Sequence, residues 1–172
     1  MSQKLLGAAR LFASHYQIVI CDDPRKIGSD FANWKDDKGN RGFAGSPTFR
    51  SVGTEADLND HWVELVLSDE PPDLEEWQRV TCVDFRSDSG AVSVMSVIDD
   101  VPPISATIGQ GEYTAFVAAQ NVGVDQLSLA EEHELSDAEL AARKDLEWYR
   151  IFLVAGKPQT VGRIVDRTDA AD

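Results

Sequence analysis

The chain has 172 residues, 42% of them hydrophobic and 27% charged, with a formal net charge of −14. This length suits one domain with a sizeable core, and the balance of apolar and charged residues excludes a disordered chain. The charge argues against direct binding of nucleic acid or anionic membranes, which an acidic field repels, and no apolar run approaches the roughly 20 residues of a membrane-spanning helix.

The opening stretch MSQKLLGAARLFASH superficially resembles a signal peptide, but Arg10 interrupts it and leaves either side too short. It reads as a short helix or strand at the start of a cytoplasmic chain. His15 to Cys21 alternates as a strand, with Tyr16, Ile18 and Ile20 toward a core and His15, Gln17, Val19 and Cys21 on the other face. Asp22, Asp23 and Pro24 then end it in a turn. GSDFANW at 28–34 allows one helical turn. Phe43 to Val52 is a weaker strand, broken by Gly45 and Pro47. His61 to Leu67 groups Val63 with Leu65 and Leu67, and places Trp62, Glu64 and Val66 opposite. PPD at 71–73 marks a loop before a short acidic turn.

Arg79 to Arg86 and Gly90 to Ile98 flank SDSG, a tight-turn signal, and are expected to pair as a hairpin. Pro103 to Ile108 and Glu112 to Ala119, flanking GQG, are expected to form a second. Residues 121–135 read as a long acidic loop. SDAE at 136–139 has the capping-box form and predicts a short helix to about Leu146. Trp148 to Val154 is a late strand, and the tail from about residue 166 is expected to fray. Short strands at about ten-residue spacing predict an all-β fold over a single domain 1–172. The expected form is a mostly antiparallel sandwich or flattened barrel with one short helix near 136–146.

Chemistry-bearing motifs are few. The histidines are His15, His61 and His133. HELSD at 133–137 begins like a zinc-binding helix motif, but Asp137 stands where the second histidine belongs. Phosphate-binding glycine loops and the GxSxG nucleophile motif are absent. Asp22-Asp23 and Asp99-Asp100 are neighbours at strand ends, and such neighbours do not face one another across a substrate. Both pairs read as turns. Cys21 and Cys82 lie in apolar strand-like runs and read as buried small hydrophobes in a reducing compartment. No cofactor, metal site or catalytic residue is expected.

Charge is unevenly distributed: residues 51–142 hold twenty acidic side chains against only Arg79 and Arg86. An acidic field of this size speeds encounter with a basic partner. The candidate contact residues are Glu55, Asp57, Asp60, Trp62, Glu64, Asp69, Glu70, Asp73, Glu75 and Glu76. Glu131, Glu132 and Glu134 lie on another loop.

Five blocks carry a family resemblance: SHYQIVI; Trp34 followed by RGFAG; WVELVL; VTCVDFRSDSGAVSVMSVI; and GEYTAFVAA. Their order and spacing over about residues 12–122 resemble the bacterial competence protein J family, known as inhibitors of a DNA-entry nuclease. The chain departs from it in a longer acidic segment between blocks and in a 121–147 insertion. The resemblance implies a non-enzymatic β protein that binds and blocks a nuclease. Two alternatives stand beside it. One is a small-molecule-binding β protein or enzyme with a pocket near His15, His61 and Tyr113. The other is a structural subunit of a bacterial or phage assembly.

Overall fold

The computed structural model describes residues 2–26, 34, 41–126 and 134–168. The expected GSDFANW turn, apart from Trp34, and residues 131–133, including Glu131 and Glu132, lie outside the described residues. Among the described residues the fold is a β-sandwich of two sheets with one short helix. The strands are β1 (Gln3–Ala13), β2 (Gln17–Cys21), β3 (Phe43–Ser46), β4 (Phe49–Gly53), β5 (Asn59–Ser68), β6 (Arg79–Ser87), β7 (Ala91–Met95), β8 (Ile104–Thr107), β9 (Gly111–Gln120), β10 (Trp148–Ala155) and β11 (Gly162–Asp166). The helix α1 spans Asp137–Ala142. One sheet runs β1-β5-β10-β9-β6-β11 and the other β3-β4-β2-β7-β8. No helix among them is long and apolar enough to cross a membrane.

The core lies between the sheets, as the alternation of side chains requires. Ile18, Ile20, Val92 and Val94 from one sheet meet Val63, Leu65, Val83, Phe85, Ile151 and Leu153 from the other. The outer faces are covered as well. Val19, Cys21, Ala44, Phe49 and Met95 form a second apolar cluster, so both faces of β2 are buried. Val66, Val80, Ala118 and Phe152 form a third under Trp77.

Tyr16 does not face the core. It sits at φ 56° in the turn before β2 and is 55% exposed. Strand pairing begins only at Gln17, opposite Gly53, so the alternation extrapolated from His15 starts two residues too early. Gln17 is buried instead, its Oε1 accepting from Trp34 Nε1 at 3.1 Å and from Ser51 Oγ at 2.5 Å.

Neither expected hairpin forms. β6 lies in the six-stranded sheet and pairs with β9 and β11, whereas β7 lies in the other sheet between β2 and β8. SDSG is a corner between sheets. The Asp22 carboxylate fills it, accepting from Ser87 Oγ at 2.9 Å, Ser89 N at 3.0 Å and Ser89 Oγ at 2.7 Å. The chain leaves through Gly90 at φ 84°, a conformation glycine adopts without strain. GQG is the matching corner from β8 to β9, where the Tyr113 hydroxyl donates to the carbonyls of Ile108 at 2.8 Å and Gly109 at 2.9 Å. Corners set Val83 and Phe85 face to face with Val92 and Val94, and hairpins would have set them side by side.

The weak strand at 43–52 is the true hairpin β3–β4, turning at Pro47 and Thr48. β1 is an eleven-residue edge strand. It passes close beneath β8 at Gly7, where a Cβ would stand 2.9 Å from Ile104 Cγ2. β11 pairs with the start of β6 and ends at Asp166, and residues 169–172 lie outside the described residues.

β10 runs parallel to β5 and antiparallel to β9, which is antiparallel to β6. β5 and β6 therefore point the same way, and residues 69–78 must return the length of the sheet between them. A parallel connection of this kind usually uses a helix. Here it is a short strap with one 3-10 turn, Leu74–Glu76, capped by Asp73, whose Oδ1 accepts from Glu75 N at 3.0 Å. Trp77 pins the strap to the sheet, edge-on to Trp148 at 5.3 Å and to Phe152 at 5.9 Å between ring centroids.

Candidate functional site

The ten residues singled out in the sequence fall into three groups along one path. Glu55 and Asp57 lie in the β4–β5 loop at one end of the sandwich. Asp60, Trp62 and Glu64 point outward from β5. Asp69, Glu70, Asp73, Glu75 and Glu76 belong to the strap, which runs from the far end of β5 back across the outer face. All five strap residues are exposed.

Four of these acids are paired with cations, three of them with cations from the ends of the chain. Asp60 pairs with Arg10 at 2.8 Å, and Glu64 with Arg150 at 2.5 Å and Lys144 at 3.7 Å. Glu55 pairs with Arg79 at 2.9 Å and Glu75 with Arg167 at 3.3 Å. Asp69, Glu70, Asp73 and Glu76 have no ion pair among the described residues. Their charge stands unopposed along the strap. Glu134, which pairs with Arg10 at 3.7 Å, adds an 87% exposed carboxylate beside α1.

Trp62 is only half-buried, and what covers it comes from this chain. Leu135, Leu140 and Leu146 pack over it from α1 and its flanks. The helix starts where the capping box predicted: Ser136 accepts from Glu139 N, and Glu139 returns a bond to Ser136 N.

Beneath the β4–β5 loop lies a buried polar cluster. The Glu147 side chain is fully buried and accepts four hydrogen bonds: from Glu55 N and Ala56 N at 3.1 Å, from Gly123 N at 2.6 Å, and from the Tyr149 hydroxyl. Burial first, and then the adjoining Glu147 carboxylate, push the Tyr149 phenol well above its ordinary range, so it remains a donor. His61 Nδ1 donates to the Glu147 carbonyl at 3.1 Å, and His61 Nε2 stands 4.0 Å from Glu147 Oε1. Nothing in the sequence near Glu147 marks it; it is one glutamate of a mixed-charge stretch. Only the convergence of two loop backbones gives it a role.

His15, His61 and Tyr113 do not share a pocket. His61 is fully buried and Tyr113 nearly so. Trp148 lies opposite Trp62, and Ala155 opposite Tyr113. Seven residues of β10 thus separate their levels, about 23 Å of strand. Two clefts open at the Tyr113 end. One of about 430 Å³ lies under Pro71, between Cys82, Phe116 and Pro158, and one of about 420 Å³ lies beside Arg86, Glu112 and Tyr113. Burial raises the Cys82 thiol to about 11 and the Cys21 thiol to about 12, so neither is a thiolate near neutral pH. Among the described residues no cluster of histidine, cysteine and carboxylate has metal-binding form.

Comparison with known proteins bears on this arrangement. A family model described as competence protein J matches residues 10–138. In fold, the chain is similar to the crystal structure of ComJ from Bacillus subtilis, an inhibitor of the DNA degrading activity of NucA. The TM-score is 0.62 at 14% identity, over 91% of this chain and all of that one. It is also similar to the product of crocagin biosynthetic gene J, with a TM-score of 0.53 at 13% identity over the same shares of each chain. No curated protein sequence matches significantly. The family match spans three-quarters of the chain and holds all five resembling blocks complete, so the chain belongs to the competence protein J family.

Proposed function

We propose that the chain is a non-enzymatic binding protein that blocks a nuclease by covering its basic, DNA-binding surface. Family membership supplies the inhibitor class, since a protein of the same fold is an inhibitor of a DNA-degrading activity. The structural observation that carries the reading is the row of unopposed carboxylates Asp69, Glu70, Asp73 and Glu76 on the strap. A nuclease that grips DNA presents a positive channel, and such a row complements it in sign while repelling DNA itself. Glu55, Asp57, Asp60, Glu64 and Glu75 extend the acidic surface, though internal ion pairs temper all of these but Asp57. Trp62 belongs to the support beneath it, because this chain's own helix covers the ring.

The test is a titration of DNA cleavage by purified nucleases from the same cell. Suppression that saturates near one equivalent, and weakens as salt rises, supports the reading. Undiminished cleavage at a large molar excess contradicts it.

A further inference from the structure

We propose that the sandwich end formed by the β1–β2 and β4–β5 loops is the surface that docks on the basic partner, with Tyr16 and Leu58 as its apolar anchors. This rests on the nuclease-blocking reading above and adds where contact is made.

The first observation is conformational. The non-glycine residues of positive φ among those described are His15 (59°), Tyr16 (56°), Leu58 (51°) and Asn121 (51°). All four lie at one end of the sandwich, where β1, β4 and β9 finish and β2 and β5 begin. Asparagine enters this region readily, but a tyrosine and a leucine do so only when their surroundings compel it. Here the two loops compel each other. Thr54 N donates to the Tyr16 carbonyl at 2.8 Å, Leu58 N to the Ala13 carbonyl at 2.9 Å, and Tyr16 N to Asp57 Oδ1 at 3.2 Å.

The second observation is what this constraint achieves. Tyr16 is 55% exposed, Leu58 is 57% exposed, and Phe12, near the end of β1, is 36% exposed. The backbone is held in an unfavoured shape, and the result is large apolar side chains facing water. Core packing gains nothing from that, whereas a partner gains preformed anchors whose ordering cost was met during folding.

The third observation lies beneath the loops. The buried Glu147 carboxylate holds Glu55 N and Ala56 N from one loop and Gly123 N from the next. A buried charge is here committed to fixing loop backbone. Around the anchors stand Glu55, 53% exposed at its side chain, and Asp57, and the strap returns to this same end through Arg79 and Glu55. Apolar anchors inside an acidic rim fit a basic surface with a small apolar recess, and the rim would repel a second copy of this chain.

The test uses Tyr16→Gly and Leu58→Gly with the nuclease that the wild-type chain suppresses. Glycine removes each anchor and accepts the left-handed backbone freely, so thermal midpoints should hold or rise. Tyr16→Gly is expected to weaken binding about 30-fold, as a central aromatic anchor does, chiefly through faster dissociation, and Leu58→Gly to weaken it less. A control carrying Asp69→Asn, Glu70→Gln, Asp73→Asn and Glu76→Gln should instead slow association and flatten the salt dependence. If both glycine variants bind within about twofold of wild type, the docking surface lies elsewhere while the inhibitor reading stands. If gel filtration shows a dimer that Tyr16→Gly dissolves, the surface is a self-interface and the proposal falls. If the wild-type chain suppresses no nuclease of its cell, both readings fail together.

Discussion

Glu147 shows how one side chain can tie together loops far from it in sequence. It answers three backbone amides and one phenol, and little else in reach could replace it. Glu147→Ala strands those donors in the interior, and the expected loss is about 3–5 kcal/mol by chemical denaturation, the range for breaking a buried charged network. A loss below about 1 kcal/mol would show that water enters and replaces the carboxylate. Asp22 acts similarly at the β6–β7 corner. Burial opposes its ionisation, but the hydrogen bonds from Ser89 and Ser87 outweigh that and hold its carboxyl below the ordinary value. Its contribution is therefore complete above the unfolded value near about pH 4 and disappears as pH falls through the lower folded one. Asp22→Ala should cost about 1–3 kcal/mol at neutral pH, with the gap to wild type closing in acid, read from urea midpoints at both ends. Neither role is legible locally. A strand-end Asp-Asp-Pro announces a turn, and nothing near it says which distant serines will enclose the carboxylate.

At the scale of elements, hydrophobic alternation located most of the strands, β11 excepted and β1 only as a helix or a strand, but not their partners. VTCVDFRSDSGAVSVMSVI reads as two strands and a turn, and it is both. A tight turn and a corner between sheets use the same glycine and serine chemistry, so the sequence alone favoured a hairpin. What decides is the apolar face of each strand, which needs the opposite sheet more than a neighbour in its own. The capping box, by contrast, is wholly local, and α1 begins where SDAE requires. The strap is the element most open to test. It crosses the six-stranded sheet held by Trp77 against Trp148 and Phe152 and, at its end, by hydrogen bonds from Arg167 and Gln120 to its carbonyls. Trp77→Ala should cost about 3–5 kcal/mol. Hydrogen exchange should also rise across residues 69–78 before it rises in β5 or β9; uniform exchange would show the strap folding as one unit with the sheet.

For the whole molecule, fold class and family were both legible, because short alternating strands and an ordered set of blocks survive without knowledge of pairing. The distribution of charge was not. Residues 51–142 look uniformly acidic in sequence, but folding brings Arg10, Lys144, Arg150 and Arg167 from the ends onto Asp60, Glu64 and Glu75. Among the described residues the longest run of acids without an ion pair is the strap's Asp69, Glu70, Asp73 and Glu76, and the apolar anchors Tyr16 and Leu58 emerge at the end to which the strap returns. The account therefore assigns steering to the strap and grip to the anchors. The most direct measurement is inhibition of DNA cleavage by a nuclease of the same cell, titrated with the wild-type chain at low and high salt. The account predicts a one-to-one endpoint at low salt and a markedly weaker apparent affinity at high salt. Full cleavage in the presence of excess chain at low salt would contradict it.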